Sequence, residues 1–274
     1  MSCYKLETIH YSKHLFSNVD MTYVIHLEGN GRLKSIKKEL DKYRPSRSCT
    51  IVFNKGFKKC SKPHLPKQLS PYDLVDANLY IINDAKKNNY KQILILEDDF
   101  FFEEDLLRNP GHVHEIEDFL NKNSNDSTIY YLGCLPLLVL PSLTHHNKII
   151  YRIGSHSVIY NKKAIEKIAS VDQMKVKDWD HYLQFSNSSY MYYRPLCFQL
   201  FEKTENSNHW GEFNPIVRFT CTIFYKFLCL LRLDVQTSPG YPLLYAISKI
   251  VFLILFLCLV FIIQKIRRKS FIKF

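Results

Sequence analysis

Three consecutive carboxylates, Glu97, Asp98 and Asp99, close the strand-length apolar run Ile93-Leu-Ile-Leu96. A continuous run of branched residues reads as a central strand buried on both faces. Its carboxyl end then places three negative charges at the rim of an open sheet, where α/β folds bind ligands. Adjacent like charges repel and are costly to bury unless a cation or a donor network neutralises them. Hard carboxylate oxygens suit Mg²⁺ or Mn²⁺, and either ion can in turn hold a diphosphate. A solvated acidic turn is the alternative reading, because Glu103, Glu104 and Asp105 prolong the negative run.

The elements that must position this triplet follow from periodicity and punctuation. Thr22 to Leu27 has the β-branched and aromatic content of a first buried strand, broken by Gly29-Asn30-Gly31. Leu33, Ile36 and Leu40 then share one face of a helix over 32–43. Cys49 to Phe53 predicts a second strand, 54–70 an aperiodic loop, and Tyr72 to Asn88 a helix with Pro71 at its entrance and Ser70 as cap. Beyond the acidic strand the pattern predicts a helix over 113–122 and a strand over 128–132. Pro136 and Pro141 make 135–143 an irregular loop, followed by a strand over 155–160 and a short helix over 162–170. A helix from Lys177 through Phe185 and a short strand over 191–193 complete the set. The alternation predicts an α/β domain, a mixed sheet flanked by helices.

Of the 274 residues 46% are apolar, enough for one domain and an appendage. The net charge is +11, but Lys265, Arg267, Arg268, Lys269 and Lys273 supply five of the positives within the last ten residues. The other Lys and Arg are scattered and no recognition helix gathers them, so no nucleic-acid partner is expected. Eight cysteines show no CxxC pair and no regular spacing, and reduced thiols are the expectation. From Ile250 to Ile263 the sequence is wholly apolar, and with the flanking residues it is long enough to cross a bilayer; the basic cluster that follows favours a membrane. The predicted organisation is a catalytic domain over 1–215, a juxtamembrane segment over 216–242 able to lie along the interface, a single-pass helix over 243–264 and a basic tail over 265–274. The first twenty residues lack a signal-type apolar run, which favours the cytosolic side for the domain, whereas the basic tail argues for the opposite orientation.

The order of four blocks resembles glycosyltransferase family 25, which includes lipopolysaccharide-biosynthesis and collagen galactosyltransferases. The blocks are Tyr23-Val-Ile-His-Leu-Glu-Gly-Asn-Gly-Arg32, the strand ending in Glu97-Asp98-Asp99, Arg152-Ile-Gly-Ser-His-Ser-Val-Ile-Tyr160, and Val176-Lys-Asp178-Trp-Asp180. With Tyr131-Leu-Gly-Cys134, Arg194-Pro-Leu-Cys-Phe-Gln199 and Thr204-Glu-Asn-Ser207, the set is most similar to members found in large DNA viruses. The chain departs from the family pattern after the first strand, where His26-Leu-Glu28 and a lone Arg32 replace Asn-Leu-Asp and paired arginines.

The resemblance implies a GT-A-like, Rossmann-like fold and a hexosyltransferase using a nucleoside-diphosphate sugar, a UDP-sugar above all, with a glycan, lipid or protein as acceptor. A divalent cation, Mn²⁺ or Mg²⁺, would stabilise the departing diphosphate as a Lewis acid. Asp99 and Glu97 are the expected metal ligands, with His156 and His209 as candidates for a third. His26, Arg32 and Asp98 are expected at the donor, Arg32 against its diphosphate. Asp178 and Asp180 open a helix whose dipole favours ionised carboxylates, and either is a candidate general base; the alternative is that Asp178 caps the helix and Asp180 is solvated. Two other functions use the same residues: a metal-dependent phosphoryl-transfer enzyme, and a membrane protein that binds glycans or serves structurally without turnover.

Overall fold

The computed structural model describes residues 2–201 and 215–271. The strands are β1 (Tyr4–His10), β2 (Met21–Leu27), β3 (Ser48–Asn54), β4 (Gln92–Glu97), β5 (Phe100–Phe102), β6 (Thr128–Leu140), β7 (His146–Asn161), β8 (Ser188–Tyr192) and β9 (Cys197–Gln199). The helices are α1 (Leu33–Tyr43), α2 (Ser70–Lys87), α3 (Asp105–Arg108), α4 (Gly111–Lys122), α5 (Lys162–Ile168), α6 (Trp179–Ser186), α7 (Pro215–Leu230) and α8 (Gly240–Phe271). Seven strands form one sheet in the order β1-β3-β2-β4-β7-β6-β8, and β5 pairs with β9 apart from it. β2 runs parallel to both β3 and β4, while β7 is antiparallel to β4 and to β6. This is the mixed, Rossmann-like sheet expected from the sequence.

Alternation along the strands splits the core in two. Tyr23, Ile25, Ile93 and Ile95 face α2, α5, α6, α7 and α8, whereas Val24, Leu94 and Leu96 face α1 and α4. On α1 the buried Ile36, Leu40 and Tyr43 recur at helical spacing, and the helix stops at Arg44 in the left-handed region. The chain leaving β2 passes through α1 to β3 on one side; the chain leaving β4 passes to the opposite half of the sheet. The carboxyl ends of β2 and β4 therefore flank a switch point, the place where an open sheet forms a crevice.

Among the elements that differ from the sequence expectation are β1, β6 and α8. β1 is an edge strand antiparallel to β3, with an exposed side that hid it from a hydrophobicity reading. β6 runs straight through Pro136 to Leu140 instead of ending in a loop. Its pairing with β8 stops at Tyr131, and its register with β7 shifts around Pro136, so the missing N–H falls at an irregular edge. α8 begins at Gly240, ahead of the expected span, and its first turns belong to the core: Tyr241, Leu244, Tyr245 and Ser248 are buried. From Gly240 to Ile266 it is long and apolar enough to cross a membrane.

The thiols are a correction. Cys3 and Cys60 form a disulfide, while Cys49, Cys134 and Cys197 are free and buried as small hydrophobes. The disulfide ties β1 to the loop over 55–69. That loop is also held by Lys62, whose buried ammonium donates to Asp73 at 2.6 Å, Tyr4 at 2.6 Å and Asn54 at 3.0 Å and pairs with Asp76 at 3.0 Å.

Candidate functional site

A cleft of about 610 Å³ opens over the carboxyl ends of β2 and β4. Arg32, Glu97, Asp98, Asp99, Asp178 and Asp180 all line it, with Gly154 and Gln199 between them and Phe224 and Tyr225 of α7 on the far side. Residues from Arg32 to Tyr225, far apart in the sequence, thus meet where the topology places a ligand.

At the acidic end, strand geometry stops at Glu97 and the chain turns through Asp98 and Asp99. There one guanidinium nitrogen of Arg32 reaches Asp98 at 2.7 Å and Asp99 at 3.1 Å. Asp98 is the anchored member. It accepts the Leu27 backbone N–H at 3.1 Å and the Asn30 side-chain amide, with His26 Nδ1 at 3.6 Å. Burial acts to raise its pKa, but the contacts with His26 and Arg32 outweigh this and hold it below the ordinary value.

Asp99 and Glu97 are not balanced in the same way. Burial, with Asp98 alongside, pushes Asp99 up to about 6 in spite of Arg32. One oxygen of Asp99 accepts from Gln199 at 2.9 Å; the other, Oδ1, is buried with no hydrogen-bond partner among the described residues. Glu97 is driven well above the usual carboxylate range by burial and then by the charges of Asp99, Asp180 and Asp98; a long 3.4 Å bond from Ser155 is its side-chain contact. Two desolvated carboxylates, one with an unused buried oxygen, fit a divalent cation that takes one or two protein oxygens and completes its shell with phosphates and water. Among the described residues no group of three or more His, Cys, Asp or Glu side chains converges to hold a metal by itself.

The opposite wall is built on β7 and α6. Asp178 is the N-cap of α6 and accepts the His181 N–H at 2.8 Å, so one of its oxygens is committed to the helix. Asp180 is not simply solvated: it accepts the Gly154 N–H at 3.0 Å and Arg152 Nη1 at 3.3 Å, and keeps about a third of its side chain exposed to the cleft. Gly154 has φ +84°, a conformation that favours glycine and turns its N–H toward Asp180. The Arg152 side chain is fully buried, lies 4.2 Å from the Tyr131 ring centroid, and donates to the carbonyls of Gly154 and Asp180. Trp179 also borders the cleft but is 2% exposed and belongs to the core.

Two expected ligands fall elsewhere. His156 is fully buried behind β9, its Nε2 3.4 Å from the Cys197 carbonyl; desolvation takes its pKa down to about 4, and it does not line the cleft. His209 and the Thr204–Ser207 block lie outside the described residues. His26 is 3% exposed, with Nδ1 3.6 Å from Asp98, and does not line the cleft. Reading the sequence missed Asn30, Arg152 and Gln199. Asn30 in the break after β2 carried the signal of a polar side chain in a tight turn; Arg152 and Gln199 carried none, because their roles depend on the β5–β9 pairing and on a bulged strand.

No protein-family model matches the chain, and no curated protein matches it in sequence. Solved structures are similar to it in fold. A protein from STIV shares 12% identity at a TM-score of 0.40, over 68% of this chain and 86% of that one. A glycosyltransferase involved in the glycosylation of the major capsid of PBCV-1 shares 11% at 0.29, over 54% and 62%. A UDP-glucose pyrophosphorylase complexed with UDP-glucose shares 12% at 0.34, over 63% and 72%. At these identities and TM-scores the likenesses carry no functional argument.

Proposed function

We propose that the chain is a glycosyltransferase of the family 25 type that moves a sugar from a nucleoside-diphosphate donor to an acceptor hydroxyl with the help of a divalent cation. The observation that carries this reading is the cleft itself, with an unbalanced carboxylate pair on one wall and an oriented, accessible carboxylate on the other. Glu97 and Asp99 would hold Mn²⁺ or Mg²⁺, which supplies charge neutralisation and Lewis acidity to the departing diphosphate. Arg32, held at the same end by Asp98, presents a guanidinium to the phosphate oxygens. Asp180 accepts the proton of the acceptor hydroxyl; the Arg152 and Gly154 contacts fix its direction, and its exposed edge faces the cleft. Asp178 is assigned to holding the start of α6.

The disulfide between Cys3 and Cys60 also revises the proposed placement. Disulfides persist on oxidising sides of membranes, and the basic tail after the span belongs on the cytosolic side. Both support a domain facing away from the cytosol, in place of the cytosolic orientation expected from the first twenty residues.

The test is calorimetric titration of detergent-solubilised full-length protein with a panel of UDP-sugars, with and without Mn²⁺, together with donor turnover. Metal-dependent binding of a donor is expected, and Asp180→Asn should keep that binding while losing about 10²–10⁴-fold in transfer. Equal donor binding in excess EDTA would remove the metal from the proposal.

A further inference from the structure

Helix α7 has two apolar faces, and the cleft uses one of them. Cys221, Phe224 and Tyr225 line the cleft and Leu228 is buried beside them, a stripe at helical spacing. On the outer side Phe219, Ile223, Phe227 and Leu230 form a second stripe, with Ile223 52% and Leu230 78% exposed. A soluble domain would carry polar residues there. Beyond the stripe Val235 is exposed, with exposed Arg232 before it, and Leu243 and Ile250 of α8 are exposed as well. The two helices abut at the turn, where a Cβ on Gly240 would stand 2.6 Å from the Leu231 carbonyl oxygen. Exposed apolar side chains therefore lie both on the outer wall of the cleft and on the helix that follows it, which is long enough to span a bilayer. Lys226 is exposed among these residues, and Lys249 donates to the Tyr193 carbonyl at 3.1 Å beside Ile250, where the apolar surface of α8 begins to encircle the helix. Cations interleaved with aromatic and aliphatic residues are the chemistry of a head-group layer.

We infer that α7 beds in the membrane interface with its outer stripe against the acyl chains, and that the acceptor is a membrane lipid bearing a free hydroxyl or sugar, delivered to the cleft from the bilayer. A helix is about 10 Å across, so the bilayer surface on one side of α7 and the cleft on the other are within reach of a head group. The surface half stands on the geometry alone. The acceptor half rests on the transferase reading and names its substrate class.

Full-length protein reconstituted in phosphatidylcholine–phosphatidylglycerol vesicles, with and without dibrominated phosphatidylcholine, tests the surface. Ile223→Trp should be quenched to a similar extent as Leu255→Trp within the apolar span, after subtraction of the parent chain's own tryptophans. Quenching of Ile223→Trp no greater than that of Lys13→Trp on the exposed domain surface would overturn it. For the acceptor, the double variant Ile223→Asp/Phe227→Asp should keep donor hydrolysis and lose at least about tenfold of the sugar transferred into chloroform-extractable lipid. Unchanged lipid transfer in that variant, or transfer by the unaltered chain only to water-soluble acceptors, would overturn the lipid assignment. A chain that neither binds nor hydrolyses a donor would sink the transferase reading instead, while the quenching experiment still decides the surface.

Discussion

Two clusters of buried charge, one around Lys62 and one around Arg32, are balanced in opposite ways. Around Lys62 one ammonium meets Asp73 and Asp76, and Tyr4, Asn54 and His64 supply the remaining hydrogen bonds. Burial would raise the pKa of Asp76, yet the bonds from Tyr4, Lys62 and His64 hold it below the ordinary value. Around Arg32 one guanidinium is shared by Asp98 and Asp99 while Glu97 has no cation of its own among the described residues, and the pKa values of Glu97 and Asp99 are raised. The first cluster is closed and reads as structure. The second lacks positive charge, and a buried deficit of that kind is what a bound cation and its phosphates would fill.

Breaking the open cluster should have the largest effect on activity. Asp99→Asn should lower sugar transfer by about 10³-fold or more, because it removes a hard oxygen aimed at the site. Its melting temperature should stay level or rise, since a repulsive charge is lost. Transfer within a few-fold of the unaltered chain would show that the deficit has no chemical purpose. Breaking the closed cluster should do the reverse. Lys62→Met removes the buried ammonium that meets both Asp73 and Asp76 and should cost about 3–5 kcal/mol in urea unfolding, with turnover per folded molecule little changed.

The contrast also has a pH signature. A carboxyl whose folded pKa is raised binds its proton more tightly in the folded state. The Asp99 contribution is therefore present at low pH and is lost as pH rises from its unfolded value, about 3.9, to its folded value of about 6. Mn²⁺ competes for the deprotonated form, so its stabilisation should grow across that window, reaching about 2.7 kcal/mol at a hundredfold excess over Kd. Melting curves at pH 5 and pH 7.5, with and without Mn²⁺, measure it; an equal shift at both would disconnect the metal from Asp99. The smallest effect is reserved for Asp178→Ala, which should cost about 1 kcal/mol as a lost cap and leave transfer nearly intact.

Much of this was legible in the residues. The apolar strand with its acidic end, the helix after Gly31 and the Asp178–Asp180 pair are local patterns, and local patterns survive folding. The sequence offered Asp178 as the cap but did not distinguish which of Asp178 and Asp180 could serve as base, because Asp180's surroundings depend on Arg152 reaching across from β7. Nor could it show that His156 turns away from the cleft, since a single shift of register in a bulged strand reverses a side chain. β1 was missed because an edge strand needs only one apolar face, and Pro136 misled because its penalty vanishes where pairing is already irregular. The disulfide joins residues 57 positions apart and had no spacing motif to announce it.

The bond from Lys249 to the Tyr193 carbonyl lies where α8 leaves the domain, and the helix continues through that point without a break. There is no hinge at the joint. A domain on a flexible stalk would sweep a hemisphere above its anchor and could reach targets at many heights. With α8 in a bilayer, this one would drift and rotate about the membrane normal while its cleft stayed at one altitude and one inclination. Its search would be two-dimensional, over partners that share its plane.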